Sequence, residues 1–239
     1  MKHMKKILPF ILILALLAGV CWAYLSDYYR ADAAALEAMA SSAEVTVETR
    51  DGFTLFSPSL PEAGFLFYPG GKVEAAAYAP LMHTLAQKGI LCILFEMPGN
   101  LAVLDPNAAE GAAQAFPHIQ SWYIGGHSLG GSMAATYAGS HSPSLQGLVL
   151  LAAYATDDLT DSGLRVLSLY GTEDGVLNRE KYEKYRKNLP SDTLEVVIEG
   201  GNHAFFGSYG PQEGDGAAAI TPEEQTATTA AQIAQFLLD

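Results

Sequence analysis

Short apolar runs alternate along this chain with longer segments in which apolar residues recur at helical spacing. Each run has five or six residues, the usual length of a strand, and is apolar enough to be buried on both faces of a sheet. These runs lie at 64–68, 90–95, 122–126, 148–153, 165–170 and 193–198. The segments with helical spacing lie at 75–88, 101–116, 129–140, 179–188 and 222–238. The pattern predicts an α/β domain with a mostly parallel central sheet and helices on both faces.

Two features modify this layout. Alternating residues at 45–48 and 53–56 flank a turn at Asp51-Gly52, and they predict an antiparallel hairpin ahead of the parallel sheet. The helical segment 101–116 contains Pro106, which has no backbone N–H, so we expect a broken helix there.

The first 25 residues have a different pattern. Three lysines among the first six residues precede an uncharged apolar stretch over 7–25, about the length of a transmembrane helix. Lysines on that side predict that the N-terminus stays in the cytoplasm and the rest of the chain lies outside it. Because no clean small-x-small cleavage site follows, we expect residues 1–25 to be an uncleaved signal anchor in the cell membrane, with secretion after cleavage as the alternative. Alanine-rich residues 26–43 predict a helical stalk, and residues 44–239 form the remaining domain.

Charge and cysteine content narrow the classes of ligand. The chain has 26 Asp and Glu against 13 Lys and Arg, for a net charge of −13. A domain this acidic repels phosphates, which argues against nucleic acid or an anionic membrane surface as its ligand. Its two cysteines, Cys21 and Cys92, do not have metal-ligand spacing, and no metal is expected.

A serine between two glycines follows the third predicted parallel strand. The sequence Gly126-His127-Ser128-Leu129-Gly130 lies where that strand ends and a helix begins. This is the pattern of a nucleophile elbow, in which glycines permit a sharp turn that exposes the serine. A glycine-rich connection without chemistry has the same five residues, so the interpretation depends on an acid and a base further along the chain. We expect His127 to pack beneath the turn rather than to line a pocket.

The base is predicted from its place after a strand. Serine becomes a good nucleophile only when a base that is itself held in place takes its proton. Of the histidines after Ser128, His141 lies at the end of the following helix, whereas His203 lies on a loop after strand 193–198. Parallel sheets present ligand-contacting groups at the carboxyl ends of their strands. His203 is therefore the candidate base, although a solvated loop histidine would fit the same position.

The acid is expected on a loop between the serine and the histidine. Asp174 directly follows strand 165–170 and is preferred over its neighbour Glu173. Three aspartates after the preceding strand are reserve candidates: Asp157, Asp158 and Asp161. Any of these carboxylates would also fit a solvated loop or a helix N-cap.

Backbone amides are expected to stabilise the oxyanion of a tetrahedral intermediate. One donor is the N–H of Leu129, the residue after the nucleophile, and the other belongs to the loop after the first parallel strand. That loop contains Gly70-Gly71-Lys72, and either Gly71 or Lys72 could supply the second donor. The loop lacks the spacing of a phosphate-binding loop, although a plain turn would fit it too.

Together these residues resemble the α/β-hydrolase superfamily, especially its compact dienelactone-hydrolase-like members, which include a group of bacterial hydrolases. The resemblance covers about 44–239 and includes two further runs, 68–73 and the long 201–216. It implies the α/β-hydrolase fold, with Ser128, Asp174 and His203 as a catalytic triad. Dienelactone hydrolases normally carry cysteine at the elbow, so the resemblance does not extend to that substrate.

The expected activity is that of a carboxylesterase-like serine hydrolase. It cleaves a small-molecule ester through an acyl-enzyme and needs no cofactor. A peptidase or amidase, an acyltransferase, and a non-catalytic binding module on the same fold are the alternatives. Phe205, Phe206 and Tyr209, in the irregular segment 204–220, are predicted to form one wall of the pocket; the alternative is a surface loop held by its own hydrogen bonds. The oligomeric state is left open.

Overall fold

An eight-stranded sheet forms the centre of the protein. The computed structural model describes residues 4–239. The strands are β1 (Val45–Arg50), β2 (Phe53–Pro58), β3 (Ala63–Tyr68), β4 (Ile90–Phe95), β5 (Trp122–His127), β6 (Gly147–Leu151), β7 (Arg165–Gly171) and β8 (Leu194–Ile198). Their order is β1-β2-β4-β3-β5-β6-β7-β8. The pairs β1–β2 and β2–β4 are antiparallel and all others are parallel, which confirms the predicted hairpin and parallel sheet.

Two separate apolar cores explain why the central strands are apolar throughout. All residues of β3, β4, β5 and β6 are buried. In β3, Phe65 and Phe67 belong to one core, while Leu66 and Tyr68 belong to the other, as the two-residue period of a strand requires. A sheet covered on both faces has no solvent side, so its strands show no polar alternation.

Helices cover both faces of the sheet. The helices of the described residues are α1 (Met4–Ser26), α2 (Ala33–Ala38), α3 (Ala79–Gln87), α4 (Leu129–His141), α5 (Arg179–Tyr185) and α6 (Pro222–Leu238), and α3, α4 and α6 pack on the sheet. Apolar residues of α3 and α6, such as Met82 and Ile233, belong to the core that contains Phe65. Ala134 and Ala138 of α4 belong to the opposite core. The prediction that helices cover both faces is therefore confirmed.

The segment predicted as a broken helix, 101–116, contains no α-helix. Residues 98–115 instead form three short 3-10 turns: Pro98–Asn100, Ala102–Leu104 and Ala113–Ala115. Pro106 cannot donate a helical hydrogen bond, and Gly111 has a positive φ of 78°. These two residues break the segment at two points, so the apolar spacing does not produce a helix.

The predicted signal anchor, residues 1–25, coincides with α1, and its first three residues lie outside the described part of the chain. Within residues 4–239, no helix is both long enough and apolar enough to cross a membrane. The predicted transmembrane segment and its contact with the membrane are therefore not supported. The location of the domain outside the cytoplasm depended on that segment and stays a prediction.

The predicted stalk, residues 26–43, differs from a free-standing helix. Apart from Ser26, which ends α1, only Ala33–Ala38 is helical, and the chain before it runs beside the loop that follows β3. The N–H of Tyr29 donates to the carbonyl of Lys72 at 2.8 Å, and the N–H of Glu74 donates to the carbonyl of Tyr29 at 2.9 Å. These contacts attach the segment to the domain next to a predicted oxyanion loop.

Candidate active site

The serine predicted as nucleophile lies on a strained turn between β5 and α4. Ser128 has φ 53° and ψ −122°, an unfavourable conformation for a residue with a side chain. Strain of this kind costs about 1–3 kcal/mol and persists only where the surroundings enforce it. Here neighbouring backbone enforces it: a Cβ on Gly130 would lie 2.1 Å from the carbonyl oxygen of Pro69, and one on Gly126 would lie 2.6 Å from that of Tyr68. The turn therefore has the geometry of a nucleophile elbow.

The predicted acid and base form a buried pair at the carboxyl ends of β7 and β8. Nδ1 of His203 lies 2.9 Å from Oδ2 of Asp174, and the two residues are only 1% and 8% exposed. Because the carboxylate can only accept, Nδ1 carries the proton and Nε2 presents its lone pair. Nε2 has no hydrogen-bond partner among the described residues. The histidine is thus in the tautomer that a general base requires.

The surroundings of Asp174 keep its carboxylate charged. Burial is the largest single influence and raises the pKa of this carboxyl. The hydrogen bond from His203 and those from the amides of Leu177 and Val176 lower it, and together they outweigh burial. Those amides donate to Oδ1 at 2.7 and 2.9 Å. The net result is a pKa below the usual value of an aspartate.

A cavity of about 240 Å³ connects the serine to the base. Ser128 and His203 both line it, with small and apolar neighbours that include Leu129, Ala153 and Leu177. The structure has no hydrogen bond from the hydroxyl of Ser128 to Nε2 of His203, and such bonds are often long until substrate binds. The cavity therefore gives a substrate access to the nucleophile and the base together.

The loop after β3 lies against the start of α4, where the oxyanion donors were predicted. The N–H of Leu129 is in the first turn of α4 and has no partner within the helix. Gly71 is close enough that a Cβ on it would lie 2.9 Å from Cδ2 of Leu129. The N–H of Lys72 already donates to the carbonyl of Asn100 at 2.7 Å, whereas the N–H of Gly71 has no acceptor among the described residues. Of the two candidates, the geometry favours Gly71.

The aromatic residues predicted to line the pocket lie elsewhere. Phe205, Phe206 and Tyr209 are absent from the lining of the cavity beside the serine. Phe206 packs behind the site on the ring of His127, with centroids 5.6 Å apart, and Tyr209 packs on Tyr29 at 5.5 Å. The prediction of a pocket wall is therefore not supported. The segment fits the alternative, a folded loop.

A tyrosine that the sequence pattern did not single out supports the site from beneath. The hydroxyl of Tyr78 accepts from the N–H of Gly70 at 3.0 Å and lies 2.8 Å from Nδ1 of His127. The ring of His127 packs on His203, with centroids 4.4 Å apart. Burial, and to a lesser degree the neighbouring His203, lower the pKa of His127 far below its usual value. His127 is buried and neutral, in agreement with the expected packing role.

Two of the three reserve candidates are used in other contacts. Asp157 accepts from the hydroxyl of Thr136 at 2.6 Å, and Asp158 accepts from the hydroxyl of Thr160 at 2.7 Å. Among the described residues, only Asp174 forms an ion pair or hydrogen bond with the imidazole of His203. No three His, Cys, Asp or Glu side chains within residues 4–239 cluster closely enough to hold a metal ion.

The sequence matches a model of the alpha/beta hydrolase family over residues 64–227. This chain therefore belongs to the alpha/beta hydrolase family, as its residues and fold indicated. A comparison with curated protein sequences found no match.

Solved structures with the same fold include a carboxyl esterase and a monoglyceride lipase. Carboxyl esterase 2 from the fungus Tuber melanosporum has a TM-score of 0.60 and 12% identity, over 89% of this chain and 90% of the esterase. A soluble variant of monoglyceride lipase from Saccharomyces cerevisiae has a TM-score of 0.58 and 12% identity, over 83% and 96%. Est1E from Butyrivibrio proteoclasticus has a TM-score of 0.56 and 14% identity, over 82% and 100%. At these identities the similarity shows the fold alone.

Proposed function

We propose that this protein is a serine hydrolase that cleaves carboxylic esters of small molecules. The observation that carries the proposal is the buried Asp174–His203 pair, whose Nε2 has no hydrogen-bond partner among the described residues, beside a cavity that His203 and Ser128 both line. The strained turn at Ser128 supports it, because strain of this kind is concentrated at functional sites.

The proposed reaction has two stages. Nε2 of His203 removes the proton from Oγ of Ser128, and Oγ attacks the carbonyl carbon of the ester. The oxyanion accepts hydrogen bonds from the N–H groups of Leu129 and Gly71. The C–O bond to the alcohol then breaks, and the alcohol leaves with the proton from His203. Water then attacks the acyl-enzyme through the same steps, and the acid is released. Asp174 stays ionised throughout and stabilises the imidazolium.

The size and lining of the cavity support a small acyl substrate. Its volume is about 240 Å³, and Ala152, Ala153 and Val176 contribute to its walls. These side chains offer apolar contact to a short acyl chain and no charge to attract an ionic one. The similar fold of a carboxyl esterase and a monoglyceride lipase supports an ester as the cleaved bond.

Matched substrates test the proposal. p-Nitrophenyl esters from acetate to decanoate and the corresponding p-nitroanilides are assayed with the full chain and with Ser128→Ala. We expect ester turnover that decreases with acyl length, much slower anilide turnover, and none above background in Ser128→Ala.

Other outcomes would favour the alternatives. Anilide turnover as fast as ester turnover would indicate an amidase, and transfer to an added alcohol faster than hydrolysis would indicate an acyltransferase. Absence of turnover together with absence of covalent labelling would indicate a binding module.

A further inference from the structure

We infer that Asp215 is a positioning residue that holds the turn carrying the acid and the turn carrying the base together. It makes no contact with the reacting side-chain atoms and acts through the backbone on either side of them. This role rests on the proposed function, since it concerns how the acid and base of that reaction are aligned.

One carboxylate binds amides from both turns. Oδ1 of Asp215 accepts from Gly175 at 3.0 Å and from His203 at 3.2 Å. It also accepts from Gly216 at 2.9 Å, while Oδ2 accepts from Ala204 at 2.8 Å. Gly175 directly follows the acid, and the amides of His203 and Ala204 belong to the base turn. The carboxylate therefore bridges the two turns.

The identity of the residue follows from this geometry. Four amide donors converge on one side chain, and only a carboxylate has two oxygens that both accept without donating. Hydrogen bonds to a charged acceptor are stronger than those between neutral groups. An amide side chain at this position keeps one acceptor and turns an NH₂ group toward an amide N–H, so it replaces the contact only in part.

Glycines let the backbone around Asp215 approach the acid turn. A Cβ on Gly216 would lie 2.0 Å from the carbonyl oxygen of Glu173, and one on Gly175 would lie 2.5 Å from that of Gly214. The run Gly214-Asp215-Gly216 thus bears a side chain only where the carboxylate is required. The end of the long run 201–216 thus has a role, although no residue in that end takes part in the proposed chemistry itself.

Two amide side chains also hold the base turn. Asn202 donates from Nδ2 to the carbonyl of Gly216 at 2.9 Å and accepts from the N–H of Phe205 at 3.0 Å. The buried side chain of Gln225 pairs with the backbone of Asn202, accepting at 3.0 Å and donating at 2.8 Å. The backbone of the base turn is therefore fixed by the side chains of Asp215, Asn202 and Gln225.

Loosening the bridge is expected to misalign the acid and the base without removing either. Small misplacements of reacting groups have large effects on rate and small effects on binding. We therefore expect the loss to appear in kcat rather than in KM.

The experiment compares Asp215→Ala, Asp215→Asn and Glu213→Ala in the full chain. Glu213 has an exposed carboxylate two residues away, so its substitution gives the same change of charge as Asp215→Ala. For Asp215→Ala we expect kcat for p-nitrophenyl acetate to fall about 10- to 100-fold with KM within about twofold of the wild-type value. The kcat of Asp215→Asn is expected to lie between those of Asp215→Ala and the wild type, and the kcat of Glu213→Ala is expected to match the wild type.

A double-mutant cycle with Asp174→Asn separates positioning from general structural support. If Asp215 acts through the acid–base pair, Asp215→Ala has little further effect on kcat once the acid is lost. The inference would be overturned if the loss of kcat in the folded double variant equalled the product of the losses in the two single variants. An unchanged kcat in Asp215→Ala would overturn it too. If the alanine variant does not fold, the same cycle is decided with Asp215→Asn.

A spectroscopic readout keeps the inference separate from the proposed function. The Nδ1–H proton of His203 that bonds to Asp174 is expected to give a strongly downfield proton NMR signal, assigned by its loss in His203→Ala. The signal is expected to weaken or shift in Asp215→Ala and to remain in Glu213→Ala. An unchanged signal in Asp215→Ala overturns the positioning role, whereas absent ester turnover with a responsive signal overturns only the proposed function.

Discussion

The two halves of the candidate site are held in place in different ways. The nucleophile half, from Gly126 to Gly130, depends on close backbone contacts with the neighbouring strand β3 and its loop. The acid–base half depends on the Asp215 carboxylate, which bonds to backbone 12 residues away at His203 and 40 residues away at Gly175.

This difference predicts how each half responds to change. Backbone in direct contact cannot yield to an added methyl group, so replacing Gly126 or Gly130 in the nucleophile half is expected to affect folding itself. A turn held by side-chain hydrogen bonds can shift while the fold persists. Substitutions in the acid–base half are therefore expected to reduce the rate in a protein that is still folded.

The largest expected effect is on stability, from Gly130→Ala. The new Cβ would lie 2.1 Å from the carbonyl oxygen of Pro69, and neither backbone can move without opening the elbow. We expect destabilisation of about 4 kcal/mol or more, or no folded protein, measured by thermal and urea unfolding. Gly139→Ala in the same helix is the control, because its Cβ meets only the side-chain end of Leu159, at 3.1 Å. Equal stability of the two variants would contradict the account of the elbow.

The next largest effect is on the rate, from Asp174→Asn. An amide at this position stabilises the imidazolium poorly and no longer favours the required tautomer of His203, so we expect kcat/KM to fall about 10³- to 10⁴-fold. Circular dichroism is expected to show a folded protein. Asp161→Asn serves as the control, since this exposed carboxylate follows the preceding strand. A similar loss in both variants would mean that charge in general, and not the pair, sustains the reaction.

A pH effect of intermediate size follows from the same carboxyl. The pKa of Asp174 is lower in the folded protein than its usual value, so ionisation contributes stability that is fully present above the pKa of the unfolded chain, about 3.9. As pH falls below that value toward the folded pKa, the unfolded chain binds the proton first and the contribution is lost. Urea unfolding at pH 6 and pH 3 is expected to show the wild type losing stability relative to Asp174→Asn. If the difference in free energy of unfolding between the wild type and Asp174→Asn were the same at pH 6 and pH 3, the lowered pKa would be contradicted.

The smallest expected effect comes from the side chain of Lys72. Its Nζ pairs with the exposed carboxylate of Asp27 at 2.7 Å, and exposed pairs contribute little to stability. The backbone of Lys72 holds the loop, through Asn100 and Tyr29, and an alanine keeps those contacts. We expect Lys72→Ala to change kcat and KM by less than about twofold in a steady-state assay. A large loss would show that the lysine side chain itself contacts the substrate.

Site residues that lie in local structures or at strand ends could be predicted from the sequence. The elbow is a local structure, so five consecutive residues predict Ser128 and its turn. Strand ends likewise predict Asp174 and His203, because parallel strands bring their carboxyl ends to one edge of the sheet. The choice between Gly71 and Lys72 depended on a hydrogen bond to Asn100, a partner 28 residues away that no local pattern indicates.

Segments whose contacts lie far along the chain were predicted least well. The apolar residues Phe206 and Tyr209 fit a pocket wall by composition, yet they pack on His127 and Tyr29. Residues 101–116 are an exception with a local cause: they have helical spacing, but Pro106 and Gly111 break them into turns. Alanine content predicted a stalk over 26–43, whereas hydrogen bonds to Lys72 and Glu74 attach it to the domain.

Covalent labelling by a fluorophosphonate is the most direct test that Ser128 is an activated nucleophile. The full chain is treated with the probe, and intact-mass and peptide mass spectrometry locate the adduct. We predict one adduct per chain on Ser128, no labelling in Ser128→Ala, and much slower labelling in His203→Ala. A folded wild-type protein that stays unlabelled, or that carries the adduct on another residue, would contradict the account.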